Sequence, residues 1–233
     1  MHPVIELAGR EGRAVLTEVE SKEVLARAGI PVNDTILATS KAQASTAARR
    51  LGFPIVLKII SPDVIHKSDA GGIRLNLQSA AQVKAAFDEI ISNCRGKYPR
   101  ANIHGISVQK AVPPGVELII GMYKDAQFGP VLVFGLGGIW TEVLEDTSLR
   151  ITPITRRDAR EMIKEIKGYR LLTGYRGRAP VNIKALEDML LAISAFVEDN
   201  PEIKEMDINP VIASGDHVMA VDARIVLESR GIK

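Results

Sequence analysis

Apolar positions recur along this chain in two rhythms. The segment "EVESKEVLARAGIPV" (18–32) has a helical period, with Gly29 as its stop and Pro31 as punctuation beyond it. "TSKAQASTAARRLGFP" (39–54) repeats the plan, with Ser40 as cap and Gly52 as stop. An apolar run over 55–60 then predicts a strand, and "GIRLNL" (72–77) alternates like a half-buried one. In "SAAQVKAAFDEIISNC" (79–94), Ala80, Val83, Phe87 and Ile90 share one helical face. "GISVQKAV", "VELIIGMYKD" and "GPVLVFGLGG" predict three successive strands. Thr155 caps a helix running through Ile166, with Asp158 three residues on completing a capping-box pattern. "NIKALEDMLLAISAFVED" (182–199) is a long amphipathic helix, and "IKEMDINPVIA" and "HVMAVDARIVL" predict two closing strands. The Gly- and Arg-bearing stretch "LLTGYRGRAPVN" (171–182) reads as a connector. This order predicts an α+β or mixed α/β chain, β-rich at its centre, with a weak boundary near 109–115.

Composition narrows the classes. The chain has 233 residues, and its formal charge of +2 argues against a nucleic-acid binder working through a broad basic surface. Five Phe, four Tyr and one Trp leave little for base-stacking platforms. No apolar run is long enough to span a bilayer, and the acid-interrupted N-terminus lacks an apolar signal core. A single cysteine, Cys94, excludes an internal disulfide framework and a cysteine-rich zinc site. A cytoplasmic location is the expectation.

The P-loop pattern, a metalloprotease His pair and a nucleophile elbow are all absent. Chemistry instead gathers around "FPIVLKIISPD" (53–63) and "VIHKSDAGGIRL" (64–75). The first places Lys58 inside an apolar strand, where a buried ammonium needs an anion, either a phosphate or a structural carboxylate. The second sets His66, Lys67, Ser68 and Asp69 ahead of Gly71 and Gly72. A double glycine lets backbone N–H groups approach phosphate oxygens, or makes an ordinary turn. Lys22 lies on a helix and by pattern alone is a surface residue. Glu117 opens a strand, where a carboxylate can accept from ribose hydroxyls or face solvent. "MDINPV" sets Asp207 and Asn209 two apart, on one face if extended, and Asp222 follows on the next strand. Two oxygen ligands from neighbouring strands suit Mg²⁺. Otherwise Asn209–Pro210 is a turn and Asp222 an edge charge.

These stretches, with "ESKEVLARAGIPV", "VQKAVPPGVELIIGMYKDAQFGPVLVFGLGGIWTEVLED" and "EMDINPV…VDARI", resemble an ATP-grasp protein over about 12–227. They are most similar to the β subunits of ADP-forming acetyl-CoA synthetases, themselves similar to the succinyl-CoA synthetase β chain. The resemblance implies an α+β fold of two lobes clasping ATP, expected here as 12–108 and 109–228. It implies that Lys22 and Lys58 contact the nucleotide phosphates and that Gly71 and Gly72 belong to a glycine-rich flap. Gln109 and Val112 fall in the adenine-reading segment, where many members carry Glu in place of Gln109, and Glu117 falls on the ribose side. Asn209 and Asp222 correspond to Mg²⁺ ligands. Asp207 corresponds to the acid that steadies an incoming phosphohistidine, and His66 to a histidine that itself takes up phosphate. The implied reaction is acyl-CoA + ADP + phosphate ⇌ acid + CoA + ATP, an acid–thiol ligation. It would run in a hetero-oligomer, α₂β₂ being typical, whose α subunit carries the CoA site and a phosphorylated loop histidine. No fused α-type domain is expected here.

Two other classes compete. A stand-alone ATP-grasp carboxylate ligase would need a carboxylate-binding arginine, for which Arg150, Arg156 or Arg176 stand available. A non-catalytic nucleotide-binding regulatory subunit would not need the full set of lysines and acids.

Overall fold

The computed structural model describes residues 2–64, 66–138, 146–175 and 179–228. The chain divides into two compact units, one of 33–113 and one of 1–32 with 114–233.

In the smaller unit, strands β1 (Thr35–Ala38), β2 (Ile55–Ile60), β3 (Ile73–Leu77) and β4 (Gly105–Lys110) form an antiparallel sheet in the order β1-β4-β2-β3. Helices α3 (Lys41–Leu51) and α4 (Ala80–Lys97) pack against it. Ser40 caps α3 by accepting from the Gln43 N–H at 3.3 Å, and Ser79 caps α4 through Gln82 in the same way. Ile55, Leu57 and Ile59 of β2 meet Ile106 and Val108 of β4 and the helices' Ala44, Val83, Phe87 and Ile90 in one core. The intervening β2 residues, Lys58 among them, therefore project from the sheet face that carries no helix.

In the larger unit, the sheet order is β10-β8-β5-β6-β7, with β9 pairing β8, and every pairing is antiparallel. These strands are β5 (Val116–Asp125), β6 (Gly129–Leu136), β7 (Thr147–Ile151), β8 (Ile203–Ala213), β9 (Val218–Ala220) and β10 (Ala223–Leu227). Leu118, Ile120, Leu132, Phe134, Met206 and Ile208 point to one face. There they are covered by α5 (Arg156–Glu165) and α7 (Ile183–Asp199) through Met162, Ile163, Leu190 and Ile193. Phe134 is fully buried, and a side chain of that size contributes roughly 1.5–3 kcal/mol by burial. Helices α1 (Pro3–Arg10) and α2 (Glu18–Arg27) add Ile5, Ala8, Val24 and Leu25 to this core, and α2 packs on β10.

The expected strand at 217–227 is two, β9 and β10. The elements α1, β1, β7 and the short α6 (Tyr169–Leu172) lie where the sequence pattern predicted none. The larger unit resumes at Pro114. Residues 12–32 differ from the expected lobe assignment: the backbone bridges Val15 to Val226 and Val32 to Ala220, and the Leu16 N–H donates to the Ile225 carbonyl, joining them to the C-terminal strands.

Candidate functional site

The smaller unit carries one group of the candidate residues. Lys58 is only 6 % exposed and stands opposite Ser107 on β4 and Ile73 on β3. Gln109, fully buried, shares that helix-free face. Its Nε2 donates to Ser107 Oγ at 3.0 Å and its Oε1 accepts from Asn33 Nδ2 at 3.4 Å. The Gln109 side chain is therefore a structural strut. Its backbone sits mid-ladder, opposite Thr35 and Val56, whereas Val112 lies just past the end of β4.

The 61–72 segment leaves β2 and returns into β3. His66 is solvent-exposed. The N–H groups of Ala70, Gly71 and Gly72 donate to the carbonyls of His66 (3.1 Å), Ser68 (3.0 Å) and Lys67 (2.8 Å). Both glycine amides are thus committed to the turn's own carbonyls and do not form an open cradle. The need for glycine is steric. Gly71 has φ +63°, and a Cβ there would lie 2.8 Å from Asn93 Nδ2; a Cβ on Gly72 would lie 2.6 Å from Ile59 Cγ2.

The larger unit carries the second group. Lys22 is no surface residue: it is 2 % exposed and its Nζ lies 3.4 Å from Oε1 of Glu18, one helical turn earlier and equally enclosed. α2 is fixed at its start by a capping box, the Thr17 N–H donating to Glu20 Oε2 at 2.7 Å and the Glu20 N–H to Thr17 Oγ1 at 3.3 Å. Glu117 is exposed on the helix-free face of β5. Its carbonyl accepts from the Gly137 N–H at 2.8 Å, and a Cβ on Gly138 would stand 2.8 Å from its Oε2.

Asn209–Pro210 is not a turn. β8 runs straight through it and accommodates the proline in a bulge, since Leu118 pairs with Val211 but Ile120 pairs with Ile208. Before the bulge Met206 and Ile208 face the core; after it Val211 and Ala213 do. Asp207 and Asn209 consequently project together from the open face. Ile208 pairs with Ala223, and the Asn209 N–H donates to the Asp222 carbonyl at 3.2 Å, so Asp222 lies opposite Asn209. Directly opposed residues send their side chains to the same face, with Cβ atoms roughly 5 Å apart. An amide oxygen and a carboxylate at that spacing fit a Mg²⁺ that takes few protein ligands and completes its shell with phosphate oxygens and water. Among the described residues no group of three or more His, Cys, Asp or Glu is placed to cage a metal. Asp207 pairs with Arg224 across the ladder. Its carboxyl is reached by solvent on the open face, yet partly desolvated there. That desolvation, then the charges of Asp222 and Glu205, raises its pKa, with Arg224 pulling the other way.

The arginines offered for a carboxylate ligase are engaged elsewhere. Arg150 is bonded by Glu165 and Arg156 by Glu187 (3.3 Å) and Asp188 (2.6 Å), while Arg176 lies outside the described residues. Sequence reasoning missed Glu18, which keeps Lys22 company. Its only trace is the four-residue spacing, common on any helix surface.

Comparison with known proteins covers nearly the whole chain. The family profile described as an ATP-grasp domain matches residues 7–227. The chain is 46 % identical over 224 residues to the acetate–CoA ligase [ADP-forming] I subunit beta of Pyrococcus furiosus, covering 96 % of each. It superposes on acetyl-coenzyme A synthetase 1 of Ca. Korarchaeum cryptofilum, in complex with coenzyme A and Ca-AMPCP, with a TM-score of 0.95 and 48 % identity, covering 97 % of this chain and 98 % of that one. A second structure of that enzyme holds coenzyme A and Mg-AMPPCP, with its phosphohistidine segment pointing towards the nucleotide-binding site. It matches with a TM-score of 0.87 and 45 % identity over 97 % and 98 % of the two chains. The chain belongs to the ATP-grasp family, among the β subunits of ADP-forming acetyl-CoA synthetases.

Proposed function

We propose that this chain is the nucleotide-binding subunit of an ADP-forming acyl-CoA synthetase, converting acyl-CoA, ADP and phosphate into acid, CoA and ATP in company with an α subunit in an α₂β₂ assembly. The observation that carries the reading is the match, over 96 % of both chains, to a protein that is itself a subunit β.

Each residue then has a role that its setting supports. Lys58 and Lys22, both buried ammonium groups, meet the nucleotide phosphates. Val112 and the backbone beside Gln109 read adenine, and Glu117 meets the ribose. Asn209 and Asp222 hold Mg²⁺, which supplies charge neutralisation at the phosphates. Gly71 and Gly72 shape the His66 loop and do not donate to phosphate in this conformation. Asp207, on the open face, receives the partner's phosphohistidine. The Asp207 carboxylate can accept from the imidazole N–H of that histidine and hold its ring as the phosphoryl group departs. In the first transfer the partner's P–N bond breaks as a P–N bond to His66 forms. In the second that bond breaks as a terminal phosphate oxygen of ADP takes the phosphoryl group. Splitting the transfer bridges the distance between an acyl phosphate made on the partner and ADP held here.

The test is co-expression with an α subunit bearing CoA-binding and CoA-ligase domains. The complex should make ATP from acetyl-CoA, ADP and phosphate, while the single chain binds Mg·ADP and forms no thioester. Labelled ATP should leave acid-labile, base-stable phosphate on this chain, lost in His66→Ala. Robust acetyl-CoA formation by the single chain would refute the assignment, and wild-type turnover in His66→Ala would refute the relay.

A further inference from the structure

The loop that carries His66 is held from outside the site, by the end of α4. Three consecutive loop carbonyls accept from three side chains within one helical turn: Asp69 from Lys97 Nζ at 3.0 Å, Ala70 from Cys94 Sγ at 3.9 Å and Gly71 from Asn93 Nδ2 at 3.5 Å. The helix dipole alone would draw Lys97 to the carbonyls of its own last turn, yet it reaches across to the loop. Burial raises the Cys94 pKa and keeps the group a thiol, able to donate. The other end of the loop is tied to the same segment, because the Asn102 N–H donates to Asp63 Oδ2 at 2.6 Å. From Ala70 the hold passes to the histidine itself, whose carbonyl accepts the Ala70 N–H. Residues 93–102 thus grip both ends of the loop and leave exposed His66 between them.

We infer that Asn93, Cys94 and Lys97 are positioning residues for phosphoryl transfer, an α4 clamp that fixes where His66 stands. The inference rests on the relay reading of His66. It follows that Gly71 is glycine as much for Asn93 as for the turn, since any Cβ would push the clamp away. It also follows that loosening the clamp slows transfer through His66 and spares ADP affinity, because Lys58 is carried by β2 and not by this loop.

The test uses the complete α–β complex with Asn93→Asp, Lys97→Met and the double variant. Asn93→Asp keeps the shape and removes the donor. Lys97→Met keeps the stem and removes the charge. One net hydrogen bond is worth roughly a fivefold to tenfold change in an equilibrium. Amide exchange at Ala70, Gly71 and Gly72 in the double variant should therefore quicken at least about tenfold. With it kcat should fall about fivefold or more while KM for ADP stays within about twofold. Lys97→Arg, which keeps a donor, should recover most of the rate. Unchanged exchange, faster exchange with unchanged kcat, or a rise in KM matching the fall in kcat would each overturn the clamp. If the wild-type complex makes no ATP from acyl-CoA, the functional reading fails instead, and the exchange measurement still decides whether α4 holds the loop.

Discussion

Replacing Glu18 by Gln removes the carboxylate beside an enclosed ammonium while keeping the side chain's shape. At the observed 3.4 Å, and in an effective dielectric of about 20, a unit charge pair interacts by about 5 kcal/mol. Breaking a buried pair by deleting one charge costs roughly 3–5 kcal/mol, and Gln keeps an acceptor oxygen, which sets the expectation near ~3 kcal/mol. For a chain of this size each kcal/mol moves Tm by about 2–4 °C, so Glu18→Gln should melt about 6–12 °C lower than wild type. Bound nucleotide would bring a further anion to Lys22. If Lys22 meets phosphate, Mg·ATP should raise the Tm of Glu18→Gln by more than it raises that of wild type, where the ordinary linkage gain is about 2.7 kcal/mol at a hundredfold excess over Kd. Scanning calorimetry with and without Mg·ATP reads both effects. A Tm within about 2 °C of wild type would refute the charge argument. An equal ligand gain in both proteins would refute the phosphate contact of Lys22.

Asp207→Asn should show a pH signature. An acid whose pKa is raised in the folded state holds its proton longer there than in the unfolded chain. Native stability therefore falls as pH climbs from the ordinary 3.8 through the raised value, and the deficit stays above it. Denaturant unfolding should find Asp207→Asn gaining on wild type across that window and keeping that gain at neutral pH, with phosphoryl transfer lost; a pH-independent difference would refute it. Asp222→Ala should keep the wild-type circular dichroism spectrum yet lose at least about a hundredfold in Mg-dependent phosphoryl transfer, since the carboxylate that would hold the ion is gone; near-normal rates would remove Asp222 from the metal site. Gly168→Ala would place a Cβ 2.3 Å from Leu136 Cδ1, and such overpacking should cost about 1–3 kcal/mol in urea unfolding.

Much of the fold was legible where the signal is local. Ser40 and Gly52 mark the ends of α3, Thr155 and Asp158 mark the start of α5, and the run 55–60 coincides with β2. β1 and β7, of four and five residues, were not legible, because their order comes from pairing with β4 and β6. The site divides the same way. Lys58 stands out because an apolar strand surrounds it. Lys22 does not, because "EVESKEVLAR" offers charges on every side and only tertiary packing decides which are enclosed. The pair Gly71–Gly72 was visible, but its cause, the approach of Asn93 and Ile59, is tertiary. The strand through Asn209–Pro210 was legible in "IKEMDINPVIA", but its bulge shows only in the register with β5.

The bond between the Leu16 N–H and the Ile225 carbonyl has a consequence for biosynthesis. The first 32 residues leave the ribosome long before the strand that completes their packing. At about 5–20 residues per second that interval is roughly 10–40 s. Residues 33–113 emerge inside it with every strand partner already made, since β1 to β4 pair only among themselves in the described structure. The insert is therefore expected to acquire protease resistance on the nascent chain first, while α1 and α2 wait with their apolar faces open to chaperones. Pulse proteolysis of chains stalled near residue 150 would show a protected 33–113 fragment and a cleavable N-terminal arm; protection of that arm before β10 is made would reverse the order.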